Sequence, residues 1–468
     1  MRIAFVAQPI DPALPPRQNS IGLIVHHTAR RLVGRHEVTI FVNRRHNPPQ
    51  NRPDDGIDYR FIDDWPDTPL LNLLAKYPNY VSQERIIRSG LYYGGFARAV
   101  ARQLRGGRFD WVHVLNFSNF LPVFRQAAPR SRLALEMQCE WLTQFSPTSV
   151  RRRLRCADLV TGSSGYIADL IRQAHPQVDG FCVPLYNGFE PERFMAAADA
   201  GRGDARPTTV LFVGRLSPEK GVHTLLEAMD LVCRERPDAR LDLVGPQVSL
   251  PLEYIVGISE DPRVRALSAY YDGTVCSDYQ AWLRARAEQG ALAGRVRFVG
   301  PVPQTDLPRL YAAADVLANP SFSESFGMSL VEGMATGMPV VATRIGGMPE
   351  IVVPGVTGFL REAGDVQGLA ADLLAGLDSA SQARRAGRRR PQARAGCLHL
   401  GRAGAAAGRP VRRSARLIRT CRRRTPAPPE TARPEMASGR QGPGTCERTA
   451  CRNSGPTANC SSSWSGVT

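Results

Sequence analysis

The sequence predicts an α/β protein of two facing Rossmann-like domains with parallel sheets, followed by a disordered Arg-rich C-terminal tail. Three observations predict this. Short apolar runs alternate with helix-like stretches through about residue 375, the pattern of parallel sheets covered by helices on both faces. The alternation pauses once, in the small, polar, Gly-containing stretch between Phe194 and Thr208, and then resumes at a similar length. It stops near residue 383, where the chain turns to Arg, Ala, Gly and Pro without periodicity. A chain of 468 residues is also too long for one hydrophobic core. The expected units are 1–195, 208–380 and the tail 384–468.

In the first unit the apolar runs place strands over 2–7, 37–42, 111–115, 133–137 and 159–161, with a helix over 22–32. Each run is short and apolar, as buried parallel strands are. In the second unit strands are expected over 210–213, 241–244, 296–299, 316–318 and 340–342. Ligands of open α/β sheets collect at the carboxyl ends of the strands, so a substrate held between the two lobes is expected.

Charge is distributed unevenly. The net charge is +17, yet residues 384–468 hold 19 Arg, no Lys and only Glu430, Glu435 and Glu447, so the rest of the chain is close to neutral. A basic balance points to nucleic acid or anionic membrane only when it is spread over a folded surface. This places nucleic-acid binding through the tail last among the readings, and no nucleic acid is expected as a partner. Back-translating 398–415 with permitted codons and advancing one nucleotide yields an amphipathic helix with a Thr cap, so a frameshifted reading stands beside the disordered tail. The ten Cys show no C-x-x-C or metal-ligand spacing, and no apolar run approaches the length of a membrane span. The opening residues read as a first strand and not a signal peptide, and a cytoplasmic protein with reduced thiols is expected.

Chemistry concentrates in two segments. In VLFVGRLSPEKG, a strand is followed by Gly214, Arg215 and Lys220, a loop able to present two cations to a diphosphate. Lys220 is one of two Lys in a chain that otherwise uses Arg, which suits a site wanting a compact point charge. In NPSFSESFGMSLVEGMATGMPVVAT, Glu324 precedes an expected helix over 328–336 that contains Glu332. The first amides of such a helix, aided by its dipole, favour a bound phosphate. Carboxylates suit polyols because they accept several hydrogen bonds and offer no competing donor.

GRLSPEKG followed by E-SFGMSLV-E resembles the retaining family 4 glycosyltransferases of the GT-B fold, over nearly all of residues 1–375. The resemblance implies that Arg215 and Lys220 hold the donor diphosphate, Glu332 the ribose, and Glu324 the transferred sugar as the catalytic-position residue. Amides of Phe326, Gly327, Met328, Ser329 and Leu330 would complete the site. Gly245 and the stretch 300–302 with Val302 would lie against the nucleotide, although a glycine at a strand end equally fits a tight turn. In the loop after the first strand Gly22 matches the family's phosphate-facing turn, whereas Asn19 and Ser20 stand where glycines are frequent.

VHVLNFSNF and LALEMQCEWLTQF resemble members engaged in polysaccharide assembly. Where many of those carry a His facing the reacting sugar, this chain has Glu136, Gln138 and Glu140. His113 on the neighbouring strand is open between an acceptor-side role and the core. The implied donor is a nucleoside-diphosphate sugar, the acceptor a saccharide or lipid-linked molecule met with or without peripheral membrane association. No metal and no further cofactor are expected, the sequence having no D-x-D motif. Because family members carry a C-terminal helix crossing back to the first lobe, an impaired relative that still binds nucleotide is the alternative.

Overall fold

The computed structural model describes residues 1–15, 18–65, 67–75, 89, 92–199 and 207–385. The expected tail from residue 386 onward lies outside the described residues.

The first sheet contains β1 (Arg2–Val6), β2 (Glu37–Asn43), β3 (Asp58–Ile62), β4 (Trp111–Leu115), β5 (Arg132–Met137), β6 (Leu159–Gly162) and β7 (Cys182–Pro184). All pairings are parallel, in the order β3-β2-β1-β4-β5-β6-β7. The second contains β8 (Thr208–Val213), β9 (Ala239–Val244), β10 (Val296–Gly300), β11 (Val316–Asn319), β12 (Val340–Thr343) and β13 (Gly358–Arg361), also parallel, in the order β10-β9-β8-β11-β12-β13. Among the described residues no helix is long and apolar enough to cross a membrane.

Both sheets reverse their direction of winding once, between β1 and β4 in the first and between β8 and β11 in the second. At such a switch point the two carboxyl-end loops diverge and leave a crevice. The crevice loops here are 7–19 with 116–120, and 214–221 with 320–327.

Strands β3, β7 and β13 were not expected. Each is an edge or near-terminal strand with a weak apolar run: β3 alternates polar and apolar residues in DYRFI, and β7 has three residues. One departure bears on the site. The helix Pro191–Asp199 straddles the expected end of the first unit, yet it packs on the second lobe's helices Leu307–Ala313 and Met328–Ala335. Its Phe194 is buried there, with its ring centroid 5.5 Å from that of Tyr311.

The loop after β1 is fixed by two buried asparagines. Asn47 Oδ1 accepts from the amides of Ala13 (2.6 Å) and Leu14 (3.0 Å), while its Nδ2 donates to the carbonyls of Asp11 and Asn43. Asn43 Nδ2 donates to the carbonyl of Pro9 at 2.7 Å. Removing the Asn47 carboxamide strands two buried amides, so Asn47→Ala is expected to cost about 2–4 kcal/mol in chemical denaturation. A loss below about 0.5 kcal/mol would contradict this assignment.

Candidate active site

The crevice between β8 and β11 is closed at its base by the backbone of its own two loops. Gly221 adopts φ +68°, and a Cβ there would lie 2.1 Å from the carbonyl oxygen of Pro320. Only glycine tolerates both the conformation and the approach. Two residues earlier, the Glu219 carbonyl accepts from the Phe322 amide at 2.8 Å.

Across this seam Lys220 Nζ donates to Glu324 Oε2 at 2.8 Å and to the Ser323 carbonyl at 3.4 Å. Burial works to raise the Glu324 carboxyl; the Lys220 charge, its hydrogen bond, the Phe326 amide and Arg215 outweigh it and hold the group below its ordinary value. Arg215 is fixed by Glu219, whose Oε1 accepts from Arg215 Nη2 (2.8 Å) and Ser217 Oγ (2.6 Å). Glu219 is fully buried, and its pKa is likewise lowered: burial opposes ionisation, but Arg215, Ser217 and Lys220 prevail. Arg215, Lys220 and Glu324, singled out from sequence, therefore share one crevice.

Glu332 sits inside the helix Met328–Ala335 with 5% of its surface exposed. Its carboxylate accepts from Tyr311 Oη at 2.6 Å and Gln304 Nε2 at 3.2 Å. At the start of this helix the Phe326 amide helps hold the Glu324 carboxyl below its ordinary value, and the Leu330 amide donates to the Gly327 carbonyl. Of the five expected amides, those of Gly327, Met328 and Ser329 make no hydrogen bond among the described residues. Gly245 donates to the Gly300 carbonyl at 2.9 Å and approaches Gly214, so it knits strand ends together; Val302 lies half-buried in the same loop region as Gln304.

Gly22 is a correction. Its amide is consumed by Asn19 Oδ1 at 2.8 Å, and a Cβ would strike the Pro12 carbonyl at 2.3 Å. It seats the helix Ser20–Leu32 against the preceding loop and has no amide left for a phosphate.

On the first lobe His113 Nε2 lies 2.7 Å from Glu136 Oε2, close but poorly aligned for a hydrogen bond, and the imidazole stacks on Phe5. Gln138 Nε2 donates to Glu136 Oε1 (2.5 Å) and to Asn187 Oδ1 (2.9 Å), and Asn187 Nδ2 donates back to Gln138 Oε1 (2.8 Å). These three form one buried polar network at the carboxyl end of β5. Glu140 instead accepts from Tyr166 Oη at 2.8 Å. Burial raises the Glu140 carboxyl while that hydrogen bond lowers it, leaving it above its ordinary value.

The lobes are joined beside the site by Glu350. Its carboxylate accepts from the amides of Gly165 (2.9 Å) and Tyr166 (2.6 Å) at the start of the first-lobe helix Gly165–Ala174, and from Tyr186 Oη (2.8 Å). Glu219, Gln304, Tyr311 and Glu350 were not singled out from sequence. For Glu219 the signal was its place between Arg215 and Lys220; for the others it is tertiary contact alone.

Two parallel sheets, each opening at a switch point, with paired cations and acids in the second, define the GT-B class of fold. Residues 199–392 match the family model of glycosyl transferases group 1. The spore coat protein SA of Bacillus subtilis is 24% identical over 376 residues, covering 77% of this chain and 85% of its own. A D-inositol 3-phosphate glycosyltransferase of Mycolicibacterium vanbaalenii is 38% identical over 205 residues, 43% of this chain and 40% of that one. The Anabaena protein HepE, solved in complex with UDP and glucose, aligns with a TM-score of 0.57 at 23% identity, over 83% of this chain and 95% of its own.

Burial lifts the Glu332 carboxyl from 4.5 to about 7 against the pull of Tyr311 and Gln304. Between those values the folded protein keeps a proton that the unfolded chain has released, so stability falls as pH rises through the window and stays reduced above it. Ligand-free Glu332→Gln is therefore expected to melt above the parent at pH 8, with the advantage gone at pH 4.5. A scanning-fluorimetry difference that is the same at both values would contradict the assignment.

Proposed function

We propose that the protein is a retaining glycosyltransferase that moves a hexose from a nucleoside-diphosphate sugar to a saccharide or lipid-linked acceptor, in the manner of family 4. The observation that carries the reading is the Lys220–Glu324 pair at the second-lobe switch point, beside Arg215 and just before the helix that carries the buried Glu332. Relatives named as glycosyltransferases and a structural neighbour crystallised with UDP and glucose support it.

In this reading the diphosphate lies between Arg215, Lys220 and the unpaired amides of Gly327, Met328 and Ser329. Glu332 takes the ribose hydroxyls, with Gly245 and Val302 toward the base, and Glu324 takes hydroxyls of the hexose over Phe326 and Gly327. The bond from the anomeric carbon to the diphosphate oxygen breaks as the acceptor oxygen bonds to the same face. The acceptor's hydroxyl proton leaves with the departing phosphate. Charge separates along the breaking bond, and fixed cations and amide dipoles already pointing at the leaving oxygens stabilise it without reorganisation. Two side-chain cations and three amides supply this electrostatic work, so the reading requires no divalent ion.

Two substitutions test it. With a panel of UDP-, GDP- and ADP-sugars, Glu324→Gln is expected to lower kcat by about 100-fold or more while nucleotide Kd changes little, because the sugar contact matters most in the transition state. Lys220→Met is expected to weaken nucleoside-diphosphate binding by about tenfold as well as lowering kcat. Wild-type protein that neither binds nor turns over any donor of the panel would contradict the reading.

A further inference from the structure

The backbone of Gly346 and Gly347 lies between the loop that carries Glu324 and the first lobe. Gly346 adopts φ +58°, and a Cβ there would come within 1.7 Å of the Glu324 carbonyl oxygen. At Gly347 a Cβ would lie 2.4 Å from the Ser325 carbonyl oxygen on one side and 2.9 Å from the Ser164 Cβ of the first lobe on the other. The Gly347 amide also donates to the Glu324 carbonyl at 3.3 Å. The Glu324 loop, the two glycines and the first lobe therefore touch in sequence, with no room for a side chain at either glycine.

Gly347 begins the short helix Met348–Ile351, and its carbonyl accepts from the Glu350 amide at 3.1 Å. One turn of chain thus has two attachments, its backbone on the Glu324 loop and its Glu350 side chain in the first lobe. The groups that this carboxylate meets, the Gly165 and Tyr166 amides and the Tyr186 hydroxyl, are all donors. The first-lobe helix is fitted to it: a Cβ at Gly165 would lie 2.8 Å from Glu350 Oε2, and Ser164 Oγ takes the next amide, that of Ile167, at 3.2 Å.

Tyr186 ties the arrangement to the same loop a second time. Its hydroxyl donates to Glu350, and its ring centroid is 6.3 Å from that of Phe326, which follows Glu324 closely in the chain. The hydrogen bonds that hold Arg215, Lys220 and Glu332 come instead from the second lobe. Position matters most for a group that meets the reacting sugar, where a displacement of about 1 Å costs on the order of 100-fold in rate.

We propose that Glu350 is a positioning residue for the transfer: by gripping the first-lobe helix it fixes the Gly346–Gly347 backbone, and through that backbone the place of Glu324 against the sugar, while the nucleotide is held independently. The inference rests on the glycosyl-transfer reading of the second lobe, and it gives Glu350 no contact with substrate.

Glu350→Gln tests it, because the near-isosteric amide turns an NH2 group toward partners that donate. In the full-length protein with its best donor, kcat is expected to fall by about 20-fold or more while donor KM and nucleoside-diphosphate Kd stay within about threefold. Tyr186→Phe, which removes one donor and keeps the ring on Phe326, is expected to lower kcat by about three- to fivefold in the same pattern. Hydrogen exchange of the nucleotide-saturated protein, followed by mass spectrometry, is expected to be faster over 323–327 in Glu350→Gln and unchanged over 215–221. A residue with a merely structural role would lower the melting temperature and leave kcat per nucleotide-binding molecule at the parent value. That result, a loss of nucleotide affinity matching the loss of kcat, unaltered exchange over 323–327, or a Tyr186→Phe protein with the parent's kcat overturns the proposal. If the parent protein turns over no donor at all, it is the glycosyl-transfer reading that fails, and the exchange over 323–327 still decides whether Glu350 fixes this loop.

Discussion

The seam between the loops after β8 and β11 is the constraint on which the rest of the candidate site depends. Parallel crossovers on opposite sides of β8 force these loops apart above the sheet, and their side chains must satisfy one another across the gap. Gly221 allows the backbone to close the base, and Lys220 and Glu324 close the top. Beneath them Glu219 holds Arg215 through one oxygen while its other oxygen, Oε2, is buried without a partner among the described residues. Such an arrangement stores electrostatic potential in fixed positions: the cations are neutralised but not consumed, and an incoming anion meets guanidinium and ammonium groups already oriented.

Parts of the chain distant from the seam complete it. Phe194, from the helix that follows the first sheet, packs on Tyr311, and Tyr311 holds the Glu332 carboxylate from below. Glu350, from the second lobe, caps a first-lobe helix through two amides, where a carboxylate is favoured by the unpaired N–H groups and the helix dipole. The aromatic contact of Tyr254 with Tyr92 and Trp141 adds a second junction between the lobes. The two lobes thus meet beside the candidate site through a few named contacts.

Much of this was legible in the sequence because it is local. The ten strands expected from apolar runs are central or carry strong runs, and the two catalytic-type segments are continuous stretches whose spacing states which side chains meet at a strand end. What escaped has physical reasons. Edge strands such as β3 and β13 bury one flank less and tolerate charges such as Arg60 and Arg361. The helix Pro191–Asp199 reads as part of a polar linker because its value lies in Phe194 reaching a core built by later residues. Gly22 matched a motif position, but Asn19, where the pattern prefers glycine, takes its amide. Gln304, Tyr311 and Glu350 act only through partners far along the chain, which spacing does not reveal.

The most direct measurement of the central claim is a crystal structure with a bound nucleoside diphosphate. The account requires diphosphate oxygens within hydrogen-bonding distance of Arg215 and Lys220, a ribose hydroxyl on Glu332, and Glu324 turned toward the place of the sugar. A nucleotide seated elsewhere, with Lys220 still paired to Glu324 and Glu332 still out of reach of the ribose, would contradict it.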